Sequence, residues 1–198
     1  MIDIPDKYQN IWAKAVPYLR QGRQGELEHC QKTAEEVYRL GKDKGWNLDI
    51  LIPVAMFHDI GHSAVLPEHF HLISGPKKEE NSKLVHMLTG AKIAHDVLKE
   101  VNYPDEKIRT IVEIIAIHDK KDKSLFNTEE KRIFHDIDRL DRFTDATFET
   151  TRKEFGLNVQ ETFDILEKDL IPDIISDDFR KIALENLQEL KIKYQEEK

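Results

Sequence analysis

The sequence predicts an all-α fold, a single-domain helical bundle. Apolar residues recur at spacings of three and four along nearly the whole chain, the period of an amphipathic helix. Val-rich alternating segments, which would mark strands, are missing. No internal repeat or low-complexity block interrupts the pattern, and 8 Gly and 7 Pro are too few for a collagen-like or disordered chain.

The elements follow in order. Asp6 to Arg20 is amphipathic, with Pro17 weakening its last turn. Gly22 and Gly25 precede a helix from about Glu26 to Lys42, whose core stripe is Leu27, Cys30, Ala34, Val37 and Leu40; Gly41 and Gly45 mark its end. A third helix covers Leu48 to His58. Gly61 to Glu80 carries Pro67, Gly75 and Pro76 without a sustained period and reads as an ordered loop or lid. Asn81 or Ser82 is the expected cap of a helix reaching Val101, and Pro104 starts another that ends near His118. Lys120 to Asn127 reads as a charged loop. Thr128-Glu129-Glu130-Lys131 opens a helix through Ile133 to Phe143, and three more follow, with breaks near Gly156, Pro172 and Ser176.

Composition narrows the function classes. A chain of 198 residues is long enough to bury a real core. Its longest apolar run, Ile50 to Phe57, contains Pro53 and stops at His58, well short of the roughly 20 residues that a membrane span requires. The acidic N-terminus, Met-Ile-Asp-Ile-Pro-Asp, is unlike a secretory signal. A single cysteine, Cys30, cannot form an internal disulfide and suits a reducing compartment, so a cytoplasmic location is expected. Thirty Lys and Arg against 38 Asp and Glu leave a net charge of −8, which argues against a nucleic-acid polymer as partner.

The nine histidines are placed tellingly. His58-Asp59 sits where the Leu51–Phe57 run ends, and a carboxylate buried there needs a compensating partner. A divalent cation accepts imidazole nitrogen and carboxylate oxygen together. His118 closes the stripe of Ile108, Ile111 and Ile115. His86 shares a face with Gly90, Ile93 and Val97, where Gly90 leaves room for another helix or an ion. Asp138 stands at a core boundary beside Ile137, and His29 opens its helix beside Leu27 and Cys30. Any one of these has a simple structural reading. Several inward His and Asp on separate helices point to a metal site in a bundle core.

The order His29, His58-Asp59, Asp138 resembles the signature of the HD-domain superfamily of metal-dependent phosphohydrolases. Ala55-Met56-Phe57-His58-Asp59-Ile60-Gly61-His62 resembles its apolar-HDxG segment, and Asp136-Ile137-Asp138-Arg139-Leu140-Asp141 its late DxDRLD segment. Residues 88–94 and 115–119 also resemble stretches of bacterial members. The likeness spans about Glu26 to Thr147, giving an HD-like core at about 26–147 between an N-terminal helix and C-terminal helices at about 148–198.

The resemblance implies His29, His58, Asp59 and Asp138 as ligands of one ion, with Asp136 and Asp141 as near alternatives to Asp138. His86 and His118 match the extra histidines of two-metal members, with Asp59 bridging. Iron and manganese are typical; zinc, nickel and cobalt also suit these donors. The implied reaction is hydrolysis of a small phosphate ester, a nucleotide foremost, by a metal-bound hydroxide.

His62, four residues after His58, is placed to protonate a leaving oxygen, to hold a phosphate, or to hydrogen-bond Asp59. Lys120, Lys121, Arg139 and Arg142 are candidate phosphate contacts, although Lys-rich turns are usually solvated surface. Lys77, Lys78, His69 and His71 in the loop are weaker candidates. His95 and His135 read as structural, and Cys30 as part of an apolar stripe. His62-Ser63 stands where guanosine-tetraphosphate hydrolases carry an acidic pair, and the GYP element of cyclic-di-GMP phosphodiesterases is missing.

The same six ligands also resemble HD-type di-iron oxygenases acting on a phosphonate or polyol, and a non-catalytic metal or nucleotide sensor is a third reading. Phe143, Phe148, Phe155 and Phe163 would face either a homodimer partner or their own helices, packing being the simpler reading.

Overall fold

The computed structural model describes residues 2–65 and 78–195, and every regular element among them is helical. The chain forms two compact units, Met1–Lys120 and Lys121–Lys198. None of the described helices is long and apolar enough to cross a membrane.

In the first unit, a 3-10 turn at Asp6–Tyr8 leads into α1 (Gln9–Leu19), followed by α2 (Glu26–Gly41) and α3 (Leu48–Phe57). A second 3-10 turn, Ile60–Ala64, precedes α4 (Lys78–Glu100) and α5 (Asp105–Ile115). Helix α3 is the central element. All eight residues from Ile50 to Phe57 are buried, as suits a helix that is apolar on every side. Cys30, Ala34 and Val37 of α2 are buried along the face packed on α3, while Leu27 and Leu40 at the stripe's ends are half-buried. Ile108, Ile111, Ile114 and Ile115 of α5 are likewise buried, and each such side chain contributes about 1.5–3 kcal/mol through burial.

Pro53 lies inside α3 and has no N–H for the Asp49 carbonyl four residues back. The Tyr103 hydroxyl donates to that carbonyl instead, at 2.7 Å. The Asp49 carboxylate in turn accepts from Lys7, the Tyr8 hydroxyl and Lys107, each at 2.6 Å, tying the 3-10 turn before α1, and α5, to the start of α3. Those bonds hold the Asp49 carboxyl well below its ordinary value. A Tyr103→Phe variant is expected to unfold about 1 kcal/mol more readily, the cost of stranding one carbonyl, when denaturant titrations are compared.

Helix α4 corrects one expectation. It already runs from Lys78, so Asn81 and Ser82 lie inside it rather than at its cap. Lys78 and Glu80 favour helix and extend it upstream. Of the loop read between Gly61 and Glu80, the first part is the 3-10 turn; His69, His71 and Lys77 lie outside the described residues.

The second unit contains a 3-10 turn at Lys123–Leu125, α6 (Glu129–Leu140), a 3-10 turn at Asp141–Phe143, and α7 (Asp145–Phe155). Then come α8 (Val159–Ile165), a π-helical turn over Leu166–Leu170, α9 (Ile171–Asp173) and α10 (Asp177–Gln195). Thr128 caps α6 by accepting from the Lys131 amide, as the sequence predicts. Gly156, at φ +64°, ends α7, a conformation that glycine adopts without strain. The break expected near Pro172 falls later: the π turn carries the chain into α9, where Pro172 occupies a first-turn position that tolerates it. Phe143, Phe148 and Phe163 are buried within this unit, whereas Phe155 is 67% exposed.

Candidate metal centre

Three elements of the first unit converge on Asp59. The C-terminal end of α3 delivers His58 and Asp59, α2 delivers His29, and the 3-10 turn at Ile60–Ala64 delivers His62. That turn packs tightly on α4. A Cβ on Gly61 would lie 1.9 Å from the His86 carbonyl oxygen and 2.6 Å from the Gly90 nitrogen, and a Cβ on Gly90 would lie 3.2 Å from the Gly61 nitrogen. Two facing glycines therefore allow backbone-to-backbone approach, which is the room that Gly90 promised in the sequence. His86 from α4 and His118 from the turn after α5 complete the group. His58, His86 and His118 are at most 1% exposed.

The two oxygens of Asp59 face different histidines. Oδ2 lies 3.5 Å from His58 Nε2 and 3.9 Å from His29 Nε2. Oδ1 lies 3.4 Å from His118 Nε2, and 3.6 Å from both His86 Nε2 and His62 Nε2. On the first side, His29 Nε2 and His58 Nε2 are 3.0 Å apart. On the second, His86 Nε2 and His118 Nε2 are 3.4 Å apart, and the His62 ring stacks on His86 with centroids 4.2 Å apart.

Tautomers follow from the backbone. A carbonyl only accepts, so Nδ1 donates in His58 to Ala55 (3.0 Å), in His118 to Ile115 (2.8 Å) and in His86 to Ser82 (3.3 Å). A ring that carries only that one proton offers the lone pair of Nε2, the ring atom nearest Asp59, to a cation. His86 Nε2 and His118 Nε2 face each other, so with both rings neutral two lone pairs would meet there, a repulsion that a proton or a metal cation between them relieves. Burial, with His118 and His62 nearby, lowers the His86 pKa to about 4, so this imidazole stays neutral and able to bind metal. Burial works against charge on Asp59, but His58, His118 and His62 hold its carboxyl well below its ordinary value. Two donors each about 2.1 Å from one ion stand about 3.0–3.4 Å apart. The donor types suit a divalent metal in the overlapping groups His29–His58–Asp59, Asp59–His62–His86 and His86–His118–Asp119; the His29–His58, His86–His118 and Asp59–His118 pairs already stand at that spacing, and the others would close slightly around an ion.

Three residues of this region escape sequence reasoning. Asp119 Oδ2 lies 3.7 Å from His86 Nε2 and 3.4 Å from Lys83 Nζ. Arg23, before α2, bonds Glu26 and reaches Asp59 Oδ2 at 3.6 Å. Glu26 is 4% exposed, and its Oε2 has no hydrogen-bond partner among the described residues. Burial and the Asp59 charge push its carboxyl upward, against the pull of Arg23 and His62. Arg23 and Glu26 precede or open α2, where no periodicity marks them. For Asp119 a signal did exist: it follows His118 as Asp59 follows His58.

The remaining candidates are placed as follows. Lys120 is half-buried in the first unit, and Lys121 and Arg142 are exposed in the second. Asp138 stands on α6 in the second unit, with Arg139 Nη1 at 3.8 Å. Arg139 donates to Asp173 and to the His135 carbonyl. Asp136 accepts from the Ile175 and Ser176 amides, each at 2.8 Å, and from His135 Nδ1 at 3.0 Å, which occupies both of its oxygens and gives it a structural role. Asp141 accepts from Thr147 Oγ1. His95 pairs with Asp96 at the surface, and Cys30 is fully buried.

No curated protein and no solved structure matches the chain. A family model does, for the HD domain, over residues 27–143, more than half of the 198. That span begins within the turn of α2 that presents His29 and includes both His-Asp pairs gathered around Asp59. The chain belongs to the HD domain family, and so to a superfamily of metal-dependent phosphohydrolases.

Proposed function

We propose that this protein hydrolyses a small phosphate ester, a nucleotide being the favoured class, at two divalent ions that share Asp59. The observation that carries this reading is the division of Asp59, with Oδ2 facing His29 and His58 and Oδ1 facing His62, His86 and His118. Iron or manganese is the favoured metal; when bound, such ions offset the negative charge of phosphoryl transfer and acidify a coordinated water.

The protein's own residues do the rest. His58, His86 and His118 are fixed by their backbone hydrogen bonds and offer Nε2 without reorganisation. Asp59 stays ionised and balances the added positive charge. His62 is the proton carrier: its Nε2, held 3.6 Å from Asp59 Oδ1 on a 3-10 turn, protonates the departing oxygen. Lys120, Lys121 and Arg142 are candidate contacts for the substrate's phosphate. Asp138 is assigned as a ligand by the sequence pattern alone.

The test is a panel of nucleotides and phosphate esters, run with manganese, with iron and with chelator. Metal-dependent phosphate release that disappears with chelator is the expected result. Silence across the panel from a protein that retains two irons and consumes oxygen overturns the hydrolase in favour of the di-iron oxygenase reading. Tight metal or nucleotide binding without turnover overturns it in favour of a sensor.

A further inference from the structure

The chain carries two His-Asp pairs, and the structure treats them alike. His58-Asp59 directly follows α3, buried from Ile50 to Phe57, and His118-Asp119 follows α5, whose Ile111, Ile114 and Ile115 are buried. In both, the imidazole Nδ1 donates to the carbonyl three residues earlier, Ala55 in one and Ile115 in the other. Both Nε2 atoms then point to the same centre, and the two rings lie 5.3 Å apart, nearly perpendicular. In the first pair the aspartate is the shared carboxylate. The second aspartate stands beside the same donors: Asp119 Oδ2 is 3.7 Å from His86 Nε2, and one oxygen of Asp119 lies within 4.8 Å of ligand atoms of both His86 and His118. Its described ion-pair partner, Lys83 at 3.4 Å, is 49% exposed, and a pair so open to water contributes little.

We infer that Asp119 is a direct ligand of the ion on the His86–His118 side, a second carboxylate beyond the ligands that the family resemblance supplies. It rests on the two-ion reading above. Asp59 Oδ1, Asp119 Oδ2 and the Nε2 atoms of His86 and His118 then make an N2O2 set carrying two negative charges, with His62 alongside. Such a set prefers a hard divalent ion, Mn2+ or Fe2+, and binds it more firmly than one carboxylate would. Lys83 competes with the metal for Asp119 rather than supporting it.

The test uses the full chain and Mn2+ alone, with calorimetric titration of wild type, Asp119→Asn and Lys83→Gln, and thermal melts to confirm that each variant folds. Wild type is expected to take two equivalents. Asp119→Asn keeps the first at unchanged affinity and binds the second at least about 10-fold more weakly, the smallest loss usual when a supporting group of a metal site is removed. Lys83→Gln binds the second equivalent as well as wild type or better.

Two wild-type equivalents with no change in Asp119→Asn overturn the inference. So does equal loss of both equivalents, because Asp119 then acts on the scaffold. If Lys83→Gln reproduces the Asp119→Asn defect, Asp119 is an ion-pair residue and the inference fails as well. Uptake of one equivalent by wild type instead overturns the two-ion reading itself.

Discussion

Asp59→Asn protein is expected to fold and yet to bind neither ion with useful affinity. Asparagine keeps the shape of aspartate but loses its charge and turns one metal-facing oxygen into an N–H donor. Both sides of the centre depend on that residue: Oδ2 serves His29 and His58, and Oδ1 serves His62, His86 and His118. Loss of a supporting group around a metal site costs about 10–100-fold in affinity, so loss of a shared ligand should cost at least about 100-fold on each side. Thermal melts with and without Mn2+ check this. At a metal concentration of about 100 times Kd, one bound ion stabilises wild type by about 2.7 kcal/mol. The variant should show a midpoint near that of metal-free wild type and no upward shift on adding metal. A full metal-induced shift in Asp59→Asn would remove Asp59 from the centre.

Gly61→Ala is the second large effect, and it acts through the backbone. The new Cβ would meet the His86 carbonyl oxygen at 1.9 Å and the Gly90 nitrogen at 2.6 Å, neither of which can rotate away. The 3-10 turn at Ile60–Ala64 must separate from α4, at a cost of about 1–3 kcal/mol, as overpacking usually exacts. The same movement draws His86 away from Asp59 and His62, so the ion on the His86–His118 side should be lost while that on His29–His58 is largely kept. Denaturant titration and metal stoichiometry together read both consequences. Gly25→Ala serves as the control: nothing lies within 4 Å of its Cβ, so it strains only the local positive φ of 91° and should leave the metal count unchanged.

The Gly61 contact also shows what the sequence carries and what it omits. Gly90 on the His86 face of its helix announced a close approach, and the inward positions of His58, His86 and His118 followed from apolar stripes, because burial leaves a periodic trace. Helix ends were legible wherever a glycine or a cap marked them, as at Gly41, Thr128 and Gly156. The start of α4 was not, because Lys78 and Glu80 are helix formers that also suit a loop, and the capping chemistry of Asn81 and Ser82 drew the boundary inward. Arg23 and Glu26 leave no periodic trace: Arg23 lies before α2, and the contact that ties the pair to the centre is with Asp59, far along the chain. Asp136 is a near alternative to Asp138 in the sequence; only the amides of Ile175 and Ser176, 39 and 40 residues away, reveal that both of its oxygens accept hydrogen bonds. Patterns of burial are local in sequence, whereas hydrogen-bond partners are not.

The most direct test of a shared centre is anomalous diffraction from crystals of the full chain grown with Mn2+, collected near the manganese edge. Two peaks are predicted, one on each side of Asp59, the first within bonding distance of His29 and His58 and the second of His86 and His118. No peak at Asp59, or a single peak that leaves one pair of histidines without metal, would contradict the account.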